Sequence, residues 1–181
     1  MTARYSVMNI SALKGRKVFF DANVLIYIFW PTGLYRWENS YSSAFGNLLR
    51  QKNELIVDFI VLSEVINRAI RIEYEKYLTI NHIDRKSLPY KIYRDSVDGQ
   101  DAMKDIYLLV RDNILANFEI KGKAYTKADI ESFLYVDTLD FMDKAFIPLC
   151  KENDFILLTN DKDFAGSDLE ILSSKPIILN K

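Results

Sequence analysis

Four acidic residues accompany apolar segments of this chain, and carboxylates in such positions can hold a metal ion. Asp21 directly follows one apolar run, and Glu64 comes shortly after a second. Asp143 lies inside a third apolar stretch, and Asp161 follows a fourth. Carboxylates that gather at one place repel one another unless a cation neutralises them. If the fold brings these side chains together, we expect a divalent metal site with oxygen ligands, which favours Mg²⁺ or Mn²⁺.

The apolar runs beside these acids read as the strands of a parallel sheet. Residues 17–20, 55–57 and 155–159 are rich in β-branched, aromatic or other large apolar side chains, which is typical of buried parallel strands. A last strand is predicted at residues 177–179. Sites in open α/β sheets form at the carboxyl ends of such strands. Three of the four acids should therefore meet at one edge of one sheet.

Helices are predicted between the strands from the spacing of apolar residues. The predicted helices cover residues 23–29, 38–51, 62–77, a segment from about 98, 126–135 and 138–153. The chain has 181 residues and contains no repeat or linker, which fits one domain with a real core. We predict a single α/β domain over residues 1–181, with a helical insertion at about residues 74–135.

Composition excludes several classes of function. The chain has one cysteine, Cys150, and one histidine, His82, so an intrachain disulfide, a thiolate zinc cage and a Ser–His or Cys–His nucleophile are excluded. The six glycines do not form a phosphate-binding loop. No apolar run is long enough to cross a bilayer, and the N-terminus lacks a signal-peptide segment. We predict a cytoplasmic protein without membrane contact.

A basic segment with interspersed tyrosines is a candidate RNA-binding surface, although the whole chain carries a net charge of only -1. Between residues 68 and 94, seven basic residues stand against three acidic ones, a local excess of four positive charges. Basic side chains would contact phosphates, and tyrosines would stack on unpaired bases. The alternative is a solvated basic helix face with the tyrosines packed on the core. The residues predicted to contact RNA are Arg68, Arg71, Lys91, Tyr93 and Arg94.

The ordered set of motifs resembles the PIN domain family of metal-dependent ribonucleases. The matching pieces are residues 18–23, 61–64, Asp143 with the helix that follows it, and 157–164. The resemblance implies a three-layer α/β/α sandwich around a central, mostly parallel sheet. It also implies that single-stranded RNA is the substrate, cut by an endoribonuclease to leave a 5′-phosphate and a 3′-hydroxyl. The middle of this chain is longer than in the compact toxin-type members.

Site residues carried over from the resemblance centre on the four acids. Asp21, Glu64, Asp143 and Asp161 would be the catalytic and metal-binding cluster around Mg²⁺ or Mn²⁺. Around that cluster we expect supporting residues of different kinds. Asn23 would hydrogen-bond Asp21, Asp140 would approach as an outer ligand, and Asp163 would order its turn. Ser63 and Thr159 complete the supporting set.

Two other functions stay open at this point. A phosphatase could use Asp21 as its nucleophile, although such enzymes generally carry a second Asp where this chain has Asn23. A non-catalytic RNA- or protein-binding module on the same scaffold is the other alternative. The resemblance also leaves open a homodimer and a toxin–antitoxin role, in which a small antitoxin protein would be the partner.

Overall fold

One parallel sheet forms the centre of the molecule. The computed structural model describes residues 2–33 and 37–180. In these residues the strands are β1 (Arg4–Ser6), β2 (Lys17–Phe20), β3 (Glu54–Val57), β4 (Glu119–Ile120), β5 (Ile156–Leu158) and β6 (Ile171–Ser173). Their order across the sheet is β1-β6-β5-β2-β3-β4, and every neighbouring pair is parallel.

Helices connect the strands, as parallel pairing requires. They are α1 (Ala22–Phe29), α2 (Trp37–Arg50), α3 (Phe59–Ile80), α4 (Tyr90–Asp95), α5 (Val97–Leu109), α6 (Lys127–Phe133), α7 (Phe141–Asn153) and α8 (Pro176–Leu179). A π-helical segment, Val110–Leu115, continues α5, and a 3₁₀ helix, Lys162–Gly166, follows β5. No helix in the described ranges is both long enough and apolar enough to cross a membrane.

Adjacent phenylalanines of β2 show that helices cover both faces of the sheet. The ring of Phe19 packs against Phe146 of α7, with 5.3 Å between ring centroids. The next residue, Phe20, packs against Phe45 of α2, with centroids 6.3 Å apart. Because successive strand side chains point to opposite faces, α7 and α2 lie on opposite sides of the sheet. The predicted α/β class and its three-layer arrangement are confirmed.

The predicted strands at 17–20, 55–57 and 155–159 are confirmed to within a residue of their ends, whereas the strand at 177–179 is wrong. That segment is α8, which begins at Pro176, a residue whose fixed φ suits the first helical position. Strands β1, β4 and β6 were not predicted. Strand β4 joins the sheet beside β3, so the predicted helical insertion at 74–135 also contains a sheet element.

Candidate metal centre

Asp21 is placed by the pairing of two central strands. Strand β2 pairs with β5, and the Asp21 N–H donates to the Leu158 carbonyl oxygen at 3.0 Å. The Asp21 side chain caps the N-terminus of α1 by accepting a hydrogen bond from the Asn23 N–H at 3.4 Å. A carboxylate at this position satisfies one of the free N–H groups of the helix. Both contacts hold Asp21 at the carboxyl edge of the sheet.

Two side-chain donors orient the carboxylate of Asp21. Its Oδ2 accepts from Asn23 Nδ2 at 2.6 Å and from the Thr159 hydroxyl at 2.6 Å. The Thr159 hydroxyl in turn accepts from the Asp161 N–H at 2.9 Å. Thr159 is fully buried. One hydroxyl therefore links the acid after β2 to the backbone of the acid after β5.

Asp161 and Asp140 both cap helices, so local structure determines their positions. Asp161 Oδ1 accepts from the Asp163 N–H at 3.0 Å and begins the 3₁₀ helix. Asp140 Oδ1 accepts from the Asp143 N–H at 2.8 Å and begins α7. Asp143 therefore lies in the first turn of α7, where the helix dipole favours a negative charge.

Glu64 reaches the site from α3. Asp58 caps α3 and accepts from the Val61 N–H at 2.7 Å, so the helix begins three residues earlier than predicted. Glu64 lies in its second turn. Its Oε1 is 3.2 Å from Nη1 of Arg68, one turn further along the helix. Both side chains are about 40% exposed, so the pair is weak and can exchange partners.

The structure brings the four predicted acids to one cavity of about 530 Å³. Asn23 and Asp140 also line it, so two of the predicted supporting residues reach the site. Three basic side chains reach it as well: those of Arg68, Lys162 and Lys175. The other described lining residues are Tyr27, Trp37, Met142, Phe146 and Asn160.

Burial and mutual repulsion make two of these acids weak. The pKa of Asp21 is raised to about 6, mainly by burial and also by the nearby Glu64 and Asp161 carboxylates, against the opposing effect of the Thr159 hydrogen bond. Burial also raises the pKa of Asp143 to about 7, with additional repulsion from Asp140, Asp21 and Asp161. The ionised forms of both acids are therefore disfavoured until a positive charge arrives.

The donor set fits a hard divalent cation. All candidate ligands are carboxylate oxygens, which suit Mg²⁺ or Mn²⁺, and a bound cation would relieve the repulsion that raises the pKa of Asp21 and Asp143. Across residues 2–33 and 37–180, no three acidic, histidine or cysteine side chains are already close enough to ligate one ion. The acids share a cavity, but Asp21 and Asp161 cap helices and Glu64 pairs with Arg68. A cation would have to draw them inward.

Some residues were missed by the sequence analysis, and others do not reach the cavity. Ser63 is exposed on α3, and neither Ser63 nor Asp163 lines the cavity. Lys175 was missed because the strand before it, β6, was not recognised. Its position two residues after the run 171–173 is the signal that could have found it. Its Nζ donates to the Asn160 carbonyl oxygen at 3.1 Å.

Lys144, the neighbour of Asp143, holds the loop that leads into α7. It is only 5% exposed, and its Nζ donates to the Phe133 carbonyl oxygen at 3.2 Å and also to that of Tyr135. The same Nζ lies 3.0 Å from an Asp137 carboxylate oxygen. A buried ammonium needs such partners. Lys144 thereby ties the end of α6 and the loop to the helix that carries Asp143.

The predicted RNA-binding residues divide into three groups. Arg68 lines the acidic cavity, whereas Arg71, Lys91 and Arg94 line a separate cleft. The prediction that Tyr93 stacks on an RNA base is wrong. The residue is only 2% exposed, so its ring has no open face. It packs against the rings of Tyr74 and Tyr77, with centroids 5.4 and 5.0 Å away. For these tyrosines the alternative of core packing describes the structure.

The fold and the carboxylate-lined cavity define a class of α/β proteins with an acidic cavity at the carboxyl edge of a parallel sheet. Comparison with protein families found that the PIN domain model matches residues 18–168, which is most of the chain. The chain belongs to the PIN domain family, whose members are generally nucleases and typically bind divalent metals. A search of curated proteins found no significant match.

Proposed function

We propose that this PIN domain protein is a metal-dependent endoribonuclease that hydrolyses phosphodiester bonds of single-stranded RNA. The observation that carries the proposal is the single cavity lined by Asp21, Glu64, Asp143 and Asp161 in a chain of this family. Each acid comes from a different part of the sequence. Four carboxylates around one cavity repel one another and destabilise the folded state. A bound metal cation would offset that repulsion.

The four acids would together hold Mg²⁺ or Mn²⁺. A bound divalent cation polarises a phosphoryl oxygen and lowers the pKa of an attacking water. Asn23 and Thr159 keep the Asp21 carboxylate oriented toward the cavity through the two hydrogen bonds to Oδ2. Such outer partners of a ligand carboxylate normally control both its direction and its basicity.

The basic residues of the cavity suit an anionic substrate. The same space is lined by three cations, Arg68, Lys162 and Lys175. Their positive charge offsets part of the repulsion between the acids and an incoming phosphate. Arg68 is paired with Glu64, and a cation that binds Glu64 would release the guanidinium. A released guanidinium can bind a phosphate with two parallel hydrogen bonds.

The residue two positions after Asp21 disfavours the phosphatase alternative. Such enzymes generally carry a second Asp there, whereas this chain has Asn23, whose amide donates to Asp21 Oδ2 at 2.6 Å. A cytoplasmic location is part of the proposal. The homodimer and the antitoxin partner stay predictions of the family resemblance.

Cleavage of labelled RNA tests the proposal. The purified protein should cut a single-stranded RNA internally in Mn²⁺ or Mg²⁺, leave 5′-phosphate ends, and lose activity in EDTA. Asp21→Asn should lower the rate by at least about 100-fold because it removes a charged ligand. Asp112→Asn, a change in an exposed acid on the π-helical segment, is the matched control.

Full activity in Asp21→Asn, or in EDTA, would contradict the proposal. Undiminished RNA binding without cleavage of any substrate would favour the non-catalytic module instead. A phosphoenzyme trapped at Asp21 would favour the phosphatase.

A further inference from the structure

A second cleft lies between α3, α4 and α5, outside the acidic cavity. Its volume is about 590 Å³, within the usual range of ligand sites. Three cations line it, Arg71 from α3 and Lys91 and Arg94 from α4, together with the aromatic side chains of Tyr90 and Tyr107. We refer to these five residues as the basic cleft. Two of its three helices belong to the predicted helical insertion.

The positive charge of the 68–94 segment is concentrated in the basic cleft. Elsewhere in that segment, three cations are paired with glutamates: Arg68 with Glu64, Lys76 with Glu73, and Arg85 with Glu75.

Within the described part of the chain, Arg71 and Lys91 form no ion pair with a carboxylate, and Arg94 pairs only with its neighbour Asp95. No acidic residue is among the described residues that line the cleft. Arg71 and Lys91 are therefore available to an external anion.

Aromatic rings accompany these cations. The guanidinium of Arg71 lies over the ring of Tyr90, 4.6 Å from the ring centroid, which holds the arginine in place at the cleft. Tyr107 is 54% exposed, so part of its ring is accessible. A cation beside an open aromatic ring can bind a phosphate and stack an unpaired base, the combination by which proteins hold single-stranded nucleic acid.

A line of arginines connects the basic cleft to the acidic cavity. Glu64, Arg68 and Arg71 follow one another at helical spacing on α3, and seven residues of helix span about 10 Å. Arg68 lines both the acidic cavity and an adjoining groove of about 750 Å³. Arg71 lines that groove and also the basic cleft. A strand that leaves the acidic cavity along α3 would thus meet Arg68 and then Arg71 before it reaches the cleft.

We propose that the basic cleft binds a phosphate and an unpaired base of the same RNA strand whose scissile phosphate lies in the acidic cavity. The identity of the ligand as RNA rests on the proposed function. The cleft makes the helical insertion a substrate-binding element, and it makes long single strands better substrates than very short ones.

Binding of fluorescent single-stranded RNA in EDTA tests the proposal independently of cleavage. Arg71→Ala/Lys91→Ala should weaken the binding of a 12-nucleotide RNA about tenfold or more. The slope of log affinity against log salt should fall by about 1.4, since each phosphate contact to a single strand contributes about 0.7. Lys86→Ala is the matched control, because Lys86 is an exposed cation of the same segment that does not line the cleft.

The aromatic part of the cleft is tested with Tyr107. Tyr107→Ala should weaken binding of the 12-nucleotide RNA about tenfold, whereas Tyr107→Phe should bind like the native protein because the stacking face remains. In cleavage assays with Mn²⁺, the Arg71→Ala/Lys91→Ala protein should show a raised KM for the 12-nucleotide RNA. The kcat of that reaction and the cleavage of a trinucleotide should not change.

Equal binding and equal salt dependence in the native and doubly substituted proteins would overturn the proposal. It would also be overturned if a nucleoside monophosphate raised the Tm at micromolar concentration through Arg71 while RNA binding stayed independent of this residue. If the cleft substitutions weaken RNA binding but no metal-dependent cleavage occurs, the cleft is supported and the nuclease proposal fails.

Discussion

Asp21 has a carboxylate that is almost fully removed from solvent and still faces other acids. Its side chain is held by Thr159, whose hydroxyl also accepts from the backbone of Asp161. The Thr159 hydroxyl, which follows β5, therefore determines the orientation of the Asp21 carboxylate, which follows β2. A residue that does not itself bind the cation can in this way control the strength of the site.

Thr159→Val tests this control because valine keeps the shape and removes the hydroxyl. The lost hydrogen bond should raise the pKa of Asp21 further, since that bond now opposes the effect of burial. We expect Mn²⁺ affinity to fall about 10-fold or more, measured by calorimetric titration at constant pH. Thr159→Ser restores the hydroxyl and should restore most of the affinity. Native affinity in the valine variant would show that the hydrogen bond has no role.

Asp143 makes the metal-free protein less stable as the pH rises. Because its pKa is about 7 in the folded protein, against an ordinary value of 3.8, the folded state binds more protons than the unfolded state between these pH values. The free energy of unfolding contributed by this group is therefore full below pH 4 and falls up to about pH 7.

Asp143→Asn should remove the loss of folding stability that ionisation of Asp143 causes at high pH. In EDTA at pH 8 the variant should be more stable by about 1–2 kcal/mol, a value reduced for partial solvent screening, and at pH 4 it should match the native protein. Urea unfolding at both pH values measures the difference. Asp112→Asn is the control and should not stabilise, because its partner Arg111 lowers the pKa of Asp112. A variant less stable than the native protein at pH 8 would contradict this assignment.

At the scale of elements, α7 depends on Asp140 for its start and for the position of Asp143. Asp140 caps the helix and at the same time adds negative charge beside Asp143. Its two possible roles, helix cap and outer metal ligand, respond differently to substitution. Asparagine keeps the cap and removes the charge, whereas alanine removes both.

We expect Asp140→Asn to keep both stability and Mn²⁺ affinity close to native values. Asp140→Ala should lower the free energy of unfolding by about 1 kcal/mol through loss of the cap. Chemical denaturation and Mn²⁺ titration of both variants distinguish the roles. A large loss of Mn²⁺ affinity in Asp140→Asn would make Asp140 a direct ligand.

At the scale of the whole molecule, the metal should act as a stabilising ligand. A cation that binds the folded state alone stabilises it by about 2.7 kcal/mol at 100 times the dissociation constant. For a chain of this size, such a gain corresponds to a rise in Tm of about 5–10 °C. Thermal scans with Mn²⁺ and with EDTA measure this rise. Asp21→Asn should show almost none of it, and an equal rise in that variant would place the ion elsewhere.

The sequence was sufficient for the central strands and the main helices. Strands β2, β3 and β5 are continuous apolar runs because both faces of a parallel strand are buried, and that pattern is local. The helices between them are indicated by the spacing of apolar residues and by capping residues, as at Thr126, which begins α6 with a capping box. The α/β class and the family resemblance could therefore be predicted.

Short strands and cavity geometry were decided by tertiary structure. The edge strands β1 and β4 have three and two residues, too few for a periodic signal, and they exist through pairing with distant partners. The β-branched run in α8 favours a strand locally, but Pro176 and its packing make it a helix.

The sequence by itself determined which acids are present and that strand ends should collect them. Only the tertiary structure decided that Glu64 pairs with Arg68, that Thr159 orients Asp21, and that Tyr93 is buried while the cations near it line a cleft. The physical reason is that residue type and local periodicity specify an element and its inner face. Which side chains meet across elements depends on how those elements pack, and packing joins residues that lie far apart in the chain.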